Sequence, residues 1–254
     1  MIGRILDSTS YDPFENLSLD HSIFINLINM ISPITIRFWR NNSSVILGRG
    51  QSLHEEVNLE YCKSNNIEIT RRISGGGCVY QDLGNYNCSL YFPIKLINGD
   101  LQTIGSILSS LIIDSFPNSN DFNIIGSTNI LFRNQKISGA ATYISKGWIL
   151  HHFTMLINAN LDHLENSLLV KDNIKSERRR SKYLPTTNLL LDYNAWKYKF
   201  IQKVSSKLGI KFSENTLQEE ELELSELLYH QIYTDKNWIN RGKRNQIQFR
   251  TDKY

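Results

Sequence analysis

The sequence predicts an α+β fold of mixed, mostly antiparallel sheets flanked by helices. Strand-like segments are paired across short polar turns, and helical stretches are grouped between them, which argues against a doubly wound parallel sheet. Size and composition agree: 254 residues, 41% hydrophobic and 21% charged, can bury a sizeable core.

Asp12-Pro13 is a helix start signal, and Phe14, Leu17, Ile23, Phe24, Leu27 and Ile28 recur at near-helical spacing, so residues 14–31 form a core helix. Ile34, Ile36 and Phe38 alternate with Thr35, Arg37 and Trp39; with residues 45–47 beyond an Asn-Asn-Ser-Ser turn, this region reads as a hairpin. Residues 53–65 read as an amphipathic helix and residues 67–72 as a strand entering a glycine turn. Residues 78–92 leave that turn as two strand halves around Leu83-Gly84-Asn85. Residues 101–116 form a strongly periodic helix that ends at Pro117. Residues 129–161 are strand-rich (NILF, KISGAATYI, WILHHFTMLINANL), divided by Asn, Gly and Lys-Gly turn signals. Periodicity then fades, and residues 175–182 (KSERRRSK) concentrate basic charge in what is either a solvated loop or a binding segment. Helices over residues 192–208 and 217–230 precede a basic, low-apolar tail over residues 236–254.

A net charge of +3 is too mild to argue for a nucleic-acid partner. There is no apolar run of membrane-spanning length and no signal-peptide core near the start, so a cytoplasmic protein without membrane association is expected. Cys62, Cys78 and Cys88 fit neither an even disulfide framework nor a metal-ligand spacing, as suits a reducing compartment.

Chemistry concentrates in residues 71–90, RRISGGGCVYQDLGNYNCSL. Three glycines in a row weaken a strand, and the benefit expected in return is close approach of backbone to a ligand; with arginine alongside, phosphate or carboxylate oxygens suit it. Lys136 precedes a small-residue run, Ser138-Gly139-Ala140-Ala141, that leaves room for a ligand. Alone such a lysine reads as an edge charge; paired with the glycine turn it is a candidate for charge stabilisation. His151 and His152 face opposite ways in a strand, so at least one is structural. Cys78 and Cys88 are the nucleophile candidates, although burial as small hydrophobes is the better reading. No G-x-S-x-G elbow or Walker-type GKS or GKT occurs, which counts against hydrolase and P-loop chemistry. Gly48-Arg49-Gly50 is either a loop near the site or a simple turn.

Taken together, RRISGGGCVYQDLGNYN, KISGAA and LHHFTMLINANL resemble the lipoate-protein ligase A family, within the fold group shared with biotin-protein ligases and octanoyltransferases. Weaker echoes are Pro13 with Asn16-Leu17, VILGRGQ and Thr187-Asn188-Leu189. The resemblance implies that lipoate and ATP give lipoyl-adenylate and pyrophosphate, and that a lysine of a lipoyl domain then takes the acyl group. On this reading Arg72 and the backbone of Gly75, Gly76, Gly77, Cys78, Val79 and Tyr80 hold ATP and the adenylate. Asn85 and Asn87 bind phosphate or adenosine, and Ser74, Ser138, Gly139, Ala140 and His152 wall the lipoate and adenylate pocket. Lys136 bridges the α-phosphate and the lipoate carboxylate, charged at an ordinary lysine pKa of about 10.4. ATP and Mg2+ are implied as co-substrates and lipoate as substrate, with no tightly bound metal and no assigned magnesium ligands. The implied partners are lipoyl-domain acceptors, namely 2-oxoacid dehydrogenase E2 subunits and the glycine cleavage H protein. A separate small accessory ligase subunit is also expected, because residues 1–254 read as a single catalytic domain without the family's C-terminal accessory domain, and Tyr233, Trp238 and Gly242 resemble the junction to it.

Two alternatives stand beside this. One is an octanoyl or lipoyl transferase working through a cysteine thioester, disfavoured because residues 118–135 and 162–173 contain no cysteine. The other is a non-catalytic subunit that binds lipoyl-adenylate. Three positions depart from the family pattern: Gln81, Phe153 and Asn160 stand where relatives commonly carry histidine, glycine and aspartate.

Overall fold

A computed structural model of the chain describes residues 2–169 and 184–241. The chain opens with β1 (Ile2–Asp7) and α1 (Pro13–Ile28), followed by β2 (Thr35–Trp39) and β3 (Ser44–Leu47). Short helices α2 (Leu53–Glu56) and α3 (Leu59–Ser64) lead to β4 (Glu68–Arg71), the glycine turn, β5 (Val79–Gln81) and β6 (Asn85–Pro93). Then come α4 (Leu101–Ile113), β7 (Phe122–Ile125), β8 (Asn129–Phe132), β9 (Gln135–Ser145), β10 (Trp148–Leu156) and α5 (Leu161–Ser167). The last elements are α6 (Tyr193–Leu208), β11 (Lys211–Glu214), α7 (Glu219–Leu228) and α8 (Lys236–Arg241).

Several helices start where the sequence supplies a side-chain acceptor for their unpaired amides. Asp12 accepts from the amides of Phe14 and Glu15 with Pro13 in the first turn, and Asp100, Asn160 and Asp192 cap α4, α5 and α6 in the same way. Gly209 ends α6 at φ 66°, a left-handed position that suits glycine.

Eight strands form a mixed sheet in the order β11-β1-β2-β6-β10-β9-β8-β7, and three form a small sheet, β4-β3-β5. β11, β1 and β2 run parallel; from β2 onward the pairs are antiparallel. The expected α+β architecture is therefore present, with three revisions. The segments read as a hairpin, β2 and β3, belong to different sheets, and so do the two strand halves β5 and β6. The helix expected over residues 53–65 breaks at Val57, which bridges to Leu168, and Asn58, whose side chain caps α3. β1, β7, β11 and α5 were not foreseen, nor was α8, which falls in the segment expected to be a tail.

One face of the large sheet carries Ile36, Phe38, Leu90, Phe92, Ile149 and Phe153 against Leu108 and Ile112 of α4 and Trp196, Phe200 and Val204 of α6. Each such side chain contributes about 1.5–3 kcal/mol by leaving water. The opposite face meets α1 and α7, where Leu17, Ile23, Phe24, Tyr91, Leu150 and Leu228 pack together and a buried Arg4–Glu221 ion pair joins β1 to α7. The small sheet stands beside this second face, with Val45, Leu47, Val57, Cys62 and Tyr80 in its own core.

Candidate functional site

Directly opposed residues of an antiparallel pair share a face. His152 lies opposite Ala141 and Ser89, and Thr154 opposite Gly139 and Asn87, so these side chains and the gap at Gly139 all look toward α1 and the small sheet. Strict alternation would put Lys136 with Ser138 on the other face. A β-bulge prevents this: Ile130 pairs with Ser138 but Leu131 pairs with Lys136, leaving Ile137 as the extra residue. Ile137 drops into the core, and the Lys136 ammonium folds across Gly139, where an added Cβ would lie 3.0 Å from Nζ. Residues 184–189 hold the lysine from outside. Its amide donates to Pro185 O at 2.6 Å, its carbonyl accepts from Thr187 N at 3.1 Å, and Asn188 clips this segment to Ala159.

The glycine turn approaches from the small sheet. Gly76 has φ 89°, and a Cβ on it would sit 3.1 Å from Arg72 Nη2 and 3.7 Å from the Ala141 side chain, so the turn and the lysine strand meet here. Gly48 packs so closely that a Cβ there would come within 2.1 Å of Gly76 O, and Arg49 N donates to Ser74 O, which makes residues 48–50 a support of the turn.

Two adjoining cavities open between these parts. The first, about 480 Å³, is lined by Leu17, Trp39, Ile46, Val79, Asn87 and His152, among others, and the second, about 640 Å³, by Asn85, Gln135, Ser138, Leu164, Glu165 and Thr186, among others. Lys136, Gly139, Cys78, Val79 and Thr154 line both. The lysine thus stands at the junction of a chamber with large apolar walls and a more polar one.

Burial, reinforced by the positive charge of Arg72, lowers the Lys136 ammonium to about 8. The ordinary lysine value expected from the sequence is therefore revised, and the charge is sensitive to mild alkali. Arg72, brought down to about 10 chiefly by burial, remains cationic near neutrality. Its donors serve its own surroundings: Nε to Ser74 Oγ at 3.0 Å, Nη1 to Ile46 O at 3.2 Å, and Nη2 to Gly75 O and Gly77 O at 2.6 and 2.8 Å. It shapes the cradle and adds positive potential to the first chamber.

Ser74 is fully buried and lines neither chamber; it connects rather than walls. Its hydroxyl lies 2.6 Å from His152 Nε2, and His152 Nδ1 lies 3.2 Å from Asp20 Oδ2. Asp20 also accepts from Ser89 Oγ, Tyr91 OH at 2.5 Å and Arg37 Nη1 at 2.6 Å. Burial pushes its carboxyl up, but the hydrogen bond from His152 and the charge of Arg37 outweigh this and hold it below the usual carboxylate value. An ionised Asp20 can only accept, so the His152 Nδ1 facing it carries a proton, while Nε2 lies against the Ser74 hydroxyl. A hydrogen-bonded chain therefore runs from Asp20 through His152 and Ser74 to Arg72. His151 points the other way, near Thr142 Oγ1 at 2.9 Å, and burial lowers it to about 3, so it stays neutral and structural.

Asn85 and Asn87 fall in different chambers. Asn87 Oδ1 accepts from Gln81 Nε2 while its own Nδ2 is buried without a partner. Asn85 Nδ2 donates to Tyr80 O and Thr154 Oγ1 while its Oδ1 is buried without a partner. Ser138 borders the second chamber but lies opposite Met155 and Ile130 on the core face, its buried hydroxyl unpartnered, whereas Ala140 belongs to the first. Tyr80 sends its ring into the small-sheet core, with its hydroxyl near Ser43 and Asp82. Cys78 lines both chambers, but burial pushes its thiol far up, and Cys88 is raised similarly in the core, so neither presents a thiolate.

The three departures have local explanations. Gln81 sits inside a buried amide chain, Asn16 to Asn41 to Gln81 to Asn87, with links of 2.9, 2.8 and 2.9 Å. Phe153 packs edge-on to Trp196 and Phe200 at ring distances of 6.2 and 5.4 Å, so most of it fills core rather than the chamber it borders. Asn160 is the cap of α5. The basic segment over residues 175–182, and Gly242, lie outside the described residues.

Sequence reasoning missed Asp20 and Arg37. The available signal was Asn16 and Asp20, polar and one helical turn apart on the inner face of an otherwise apolar α1. It also missed Leu17, Trp39 and Ile46 as chamber walls.

Comparison with known proteins places the match of the lipoyl protein ligase A/B catalytic domain family over residues 12–208. Lipoate-protein ligase A subunit 1 of Thermoplasma acidophilum is 32% identical, over 94% of this chain and 96% of that protein. Lipoate-protein ligase A of Blochmanniella floridana is 34% identical over 73% of this chain, which spans about half (53%) of that relative's length. Among solved structures, that of a bi-partite lipoate protein ligase from Thermoplasma acidophilum, studied with its E2 lipoyl domain, superposes with TM-score 0.80 at 26% identity, covering 97% of this chain and 99% of the other. A lipoate-protein ligase A bound with ATP gives TM-score 0.78 at 28% identity, with 95% and 99% covered. No helix among the described residues is long and apolar enough to cross a membrane.

Proposed function

We propose, from the premise that this chain belongs to the lipoyl protein ligase A/B catalytic domain family and is an enzyme carrying a lipoate-protein ligase catalytic domain, that it activates lipoate with ATP and passes the lipoyl group to a lysine of a lipoyl domain. The observation that carries this reading is the place of Lys136 at the junction of the two chambers. The apolar walls of Leu17, Trp39, Ile46 and Val79 suit an acyl chain with a dithiolane, and the polar second chamber, with the unsatisfied Asn85 Oδ1, suits a nucleotide.

In the first step a carboxylate oxygen of lipoate attacks the α-phosphorus of ATP, and the bond to pyrophosphate breaks. Two anions must come into contact, and their repulsion is the main obstacle. Lys136 sits between them as a preorganised cation, with the glycine-turn amides and the field of Arg72 beside the developing charge. In the second step the acceptor amine attacks the acyl carbonyl and AMP leaves. The Asp20–His152–Ser74–Arg72 chain keeps the cradle rigid through both steps. Magnesium enters as part of the nucleotide substrate; Glu165 lines the second chamber, and among the described residues no group of three carboxylate, imidazole or thiol side chains could hold a metal.

Similarity over nearly its whole length to a protein named as subunit 1 of a lipoate-protein ligase supports work with a separate accessory subunit. The acceptors we propose are the lipoyl domains of 2-oxoacid dehydrogenase E2 subunits and the glycine cleavage H protein, and the setting is cytoplasmic. Incubation with lipoate and ATP, with and without the candidate accessory protein, followed by mass detection of adenylate and modified acceptor, tests this. Adenylate from the wild type and its loss by about 10²-fold or more in Lys136→Ala are expected. Undiminished adenylation in Lys136→Ala would remove the role given to the lysine, and acyl transfer without ATP would favour the transferase instead.

A further inference from the structure

Arg71, the residue before the arginine that shapes the cradle, is fully buried and spends its donors on main-chain carbonyls from two distant parts of the chain. Nη1 donates to Gly48 O at 2.8 Å, Arg49 O at 3.3 Å and Gln51 O at 2.7 Å. Nε donates to Trp238 O and Ile239 O at 2.9 and 3.0 Å, and Nη2 to Ile239 O at 2.6 Å. Trp238 completes the joint from the other side, its indole Nε1 donating to Arg71 O at 2.8 Å. One planar guanidinium thus fastens α8 to the loop over residues 48–51.

That loop is itself closed tightly. Gly48 N donates to Gln51 Oε1 at 3.0 Å and Gln51 N to Gly48 O at 3.1 Å. It bears on the glycine turn at two points, through Arg49 N to Ser74 O at 2.9 Å and through the contact of Gly48 with Gly76 O. A continuous series of hydrogen bonds and one backbone contact therefore leads from Trp238 and Ile239 through Arg71 and residues 48–51 to Ser74 and Gly76. Gly76 lines the first chamber, and Ser74 anchors both His152 and Arg72. α8 lies beyond the family match, which ends at residue 208, yet it is joined to the centre of the site.

We infer that Arg71 is a positioning residue for activation and that α8 is the buttress it pulls against: this helix sets the geometry of the phosphate cradle. This rests on the adenylating function proposed above. Loosening the joint lowers the fraction of molecules whose turn is in the binding-competent shape. Apparent affinity falls by that fraction, while the rate at saturation is preserved because bound ligand restores the shape. A merely structural role does the opposite, reducing the amount of active protein and hence the apparent kcat at unchanged KM.

The test uses the full chain in two variants. Trp238→Phe keeps a buried aromatic ring while removing the indole donor and part of the packed volume; Arg71→Lys keeps the charge but cannot reach both sets of carbonyls. Amide hydrogen exchange at Arg49 and Gln51 is followed on the unliganded protein, and KM and kcat for ATP-dependent lipoate activation are measured separately. In Trp238→Phe the two amides are expected to exchange about tenfold faster and KM to rise about fivefold with kcat within twofold, as a shift in competent population gives; Arg71→Lys shows the larger effect in the same direction. Unchanged exchange and unchanged KM in a folded Trp238→Phe overturn the inference, as does a fall in kcat alone. If Arg71→Lys does not fold, Trp238→Phe decides. If the wild type forms no adenylate, the proposed function fails, and the exchange measurement alone still decides whether α8 holds the turn.

Discussion

Raising the pH removes the proton from Lys136 before it touches any ordinary lysine. With the ammonium lowered to about 8 by burial and by Arg72, the side chain is about nine-tenths protonated near pH 7 and about one-tenth near pH 9. A neutral amine cannot screen the lipoate carboxylate from the α-phosphate. The free enzyme's capacity for adenylation should therefore fall about tenfold across that interval and about one decade per unit beyond it. Two anionic ligands raise the pKa again once bound, so the fall belongs to kcat/KM and not to kcat. Pyrophosphate release without any acceptor protein is the appropriate assay, because the acceptor's own lysine titrates in the opposite sense. Lys136→Arg supplies the control: a guanidinium stays charged throughout, so the alkaline limb should disappear even if the absolute rate is lower. A wild-type kcat/KM that stays flat to about pH 9.5, or an identical alkaline fall in Lys136→Arg, would refute the assignment of this limb to Lys136.

Two further outcomes follow from the geometry. Gly139→Ala places a methyl 3.0 Å from Lys136 Nζ and should displace the ammonium from the junction, cutting adenylation at least about tenfold while thermal unfolding moves little; steady-state rates beside a melting curve check this. Asp20→Asn leaves Arg37 buried without its carboxylate and should cost about 3–5 kcal/mol in urea unfolding, so a loss below about 1 kcal/mol would show that the buried network is not held by that charge.

The local motifs were legible because their chemistry is written in consecutive residues. Three glycines beside arginine announce a backbone made for close approach, and a lysine before small side chains announces space. What the motifs do not contain is phase. Nothing in QKISGAA marks Ile137 as an extra residue, yet that bulge decides which face receives Lys136. Ser74 and Tyr80 illustrate the same limit, since the motif names them but not whether each side chain faces ligand or core. Asp20 and Arg37 come from α1 and β2, and only tertiary packing turns an isolated buried arginine and aspartate into a polar chain. The hairpin expectation failed because a polar turn between two strands does not say that they pair; β2 and β3 part into different sheets after Asn41, which the amide chain to Gln81 holds. β7 and β11 escaped notice as four-residue edge strands, too short for a period to register.

The cradle and the cation ride on separate sheets, and this has a bearing on how such a catalyst changes over generations. The spacing between the two is a property of how one slab of strands leans on the other. Replacing a bulky residue in the seam between them would retune the grip on the proposed mixed anhydride without altering any atom that meets it. Drift in selectivity can therefore originate far from the reacting groups, in substitutions that a map of ligand contacts would dismiss as silent.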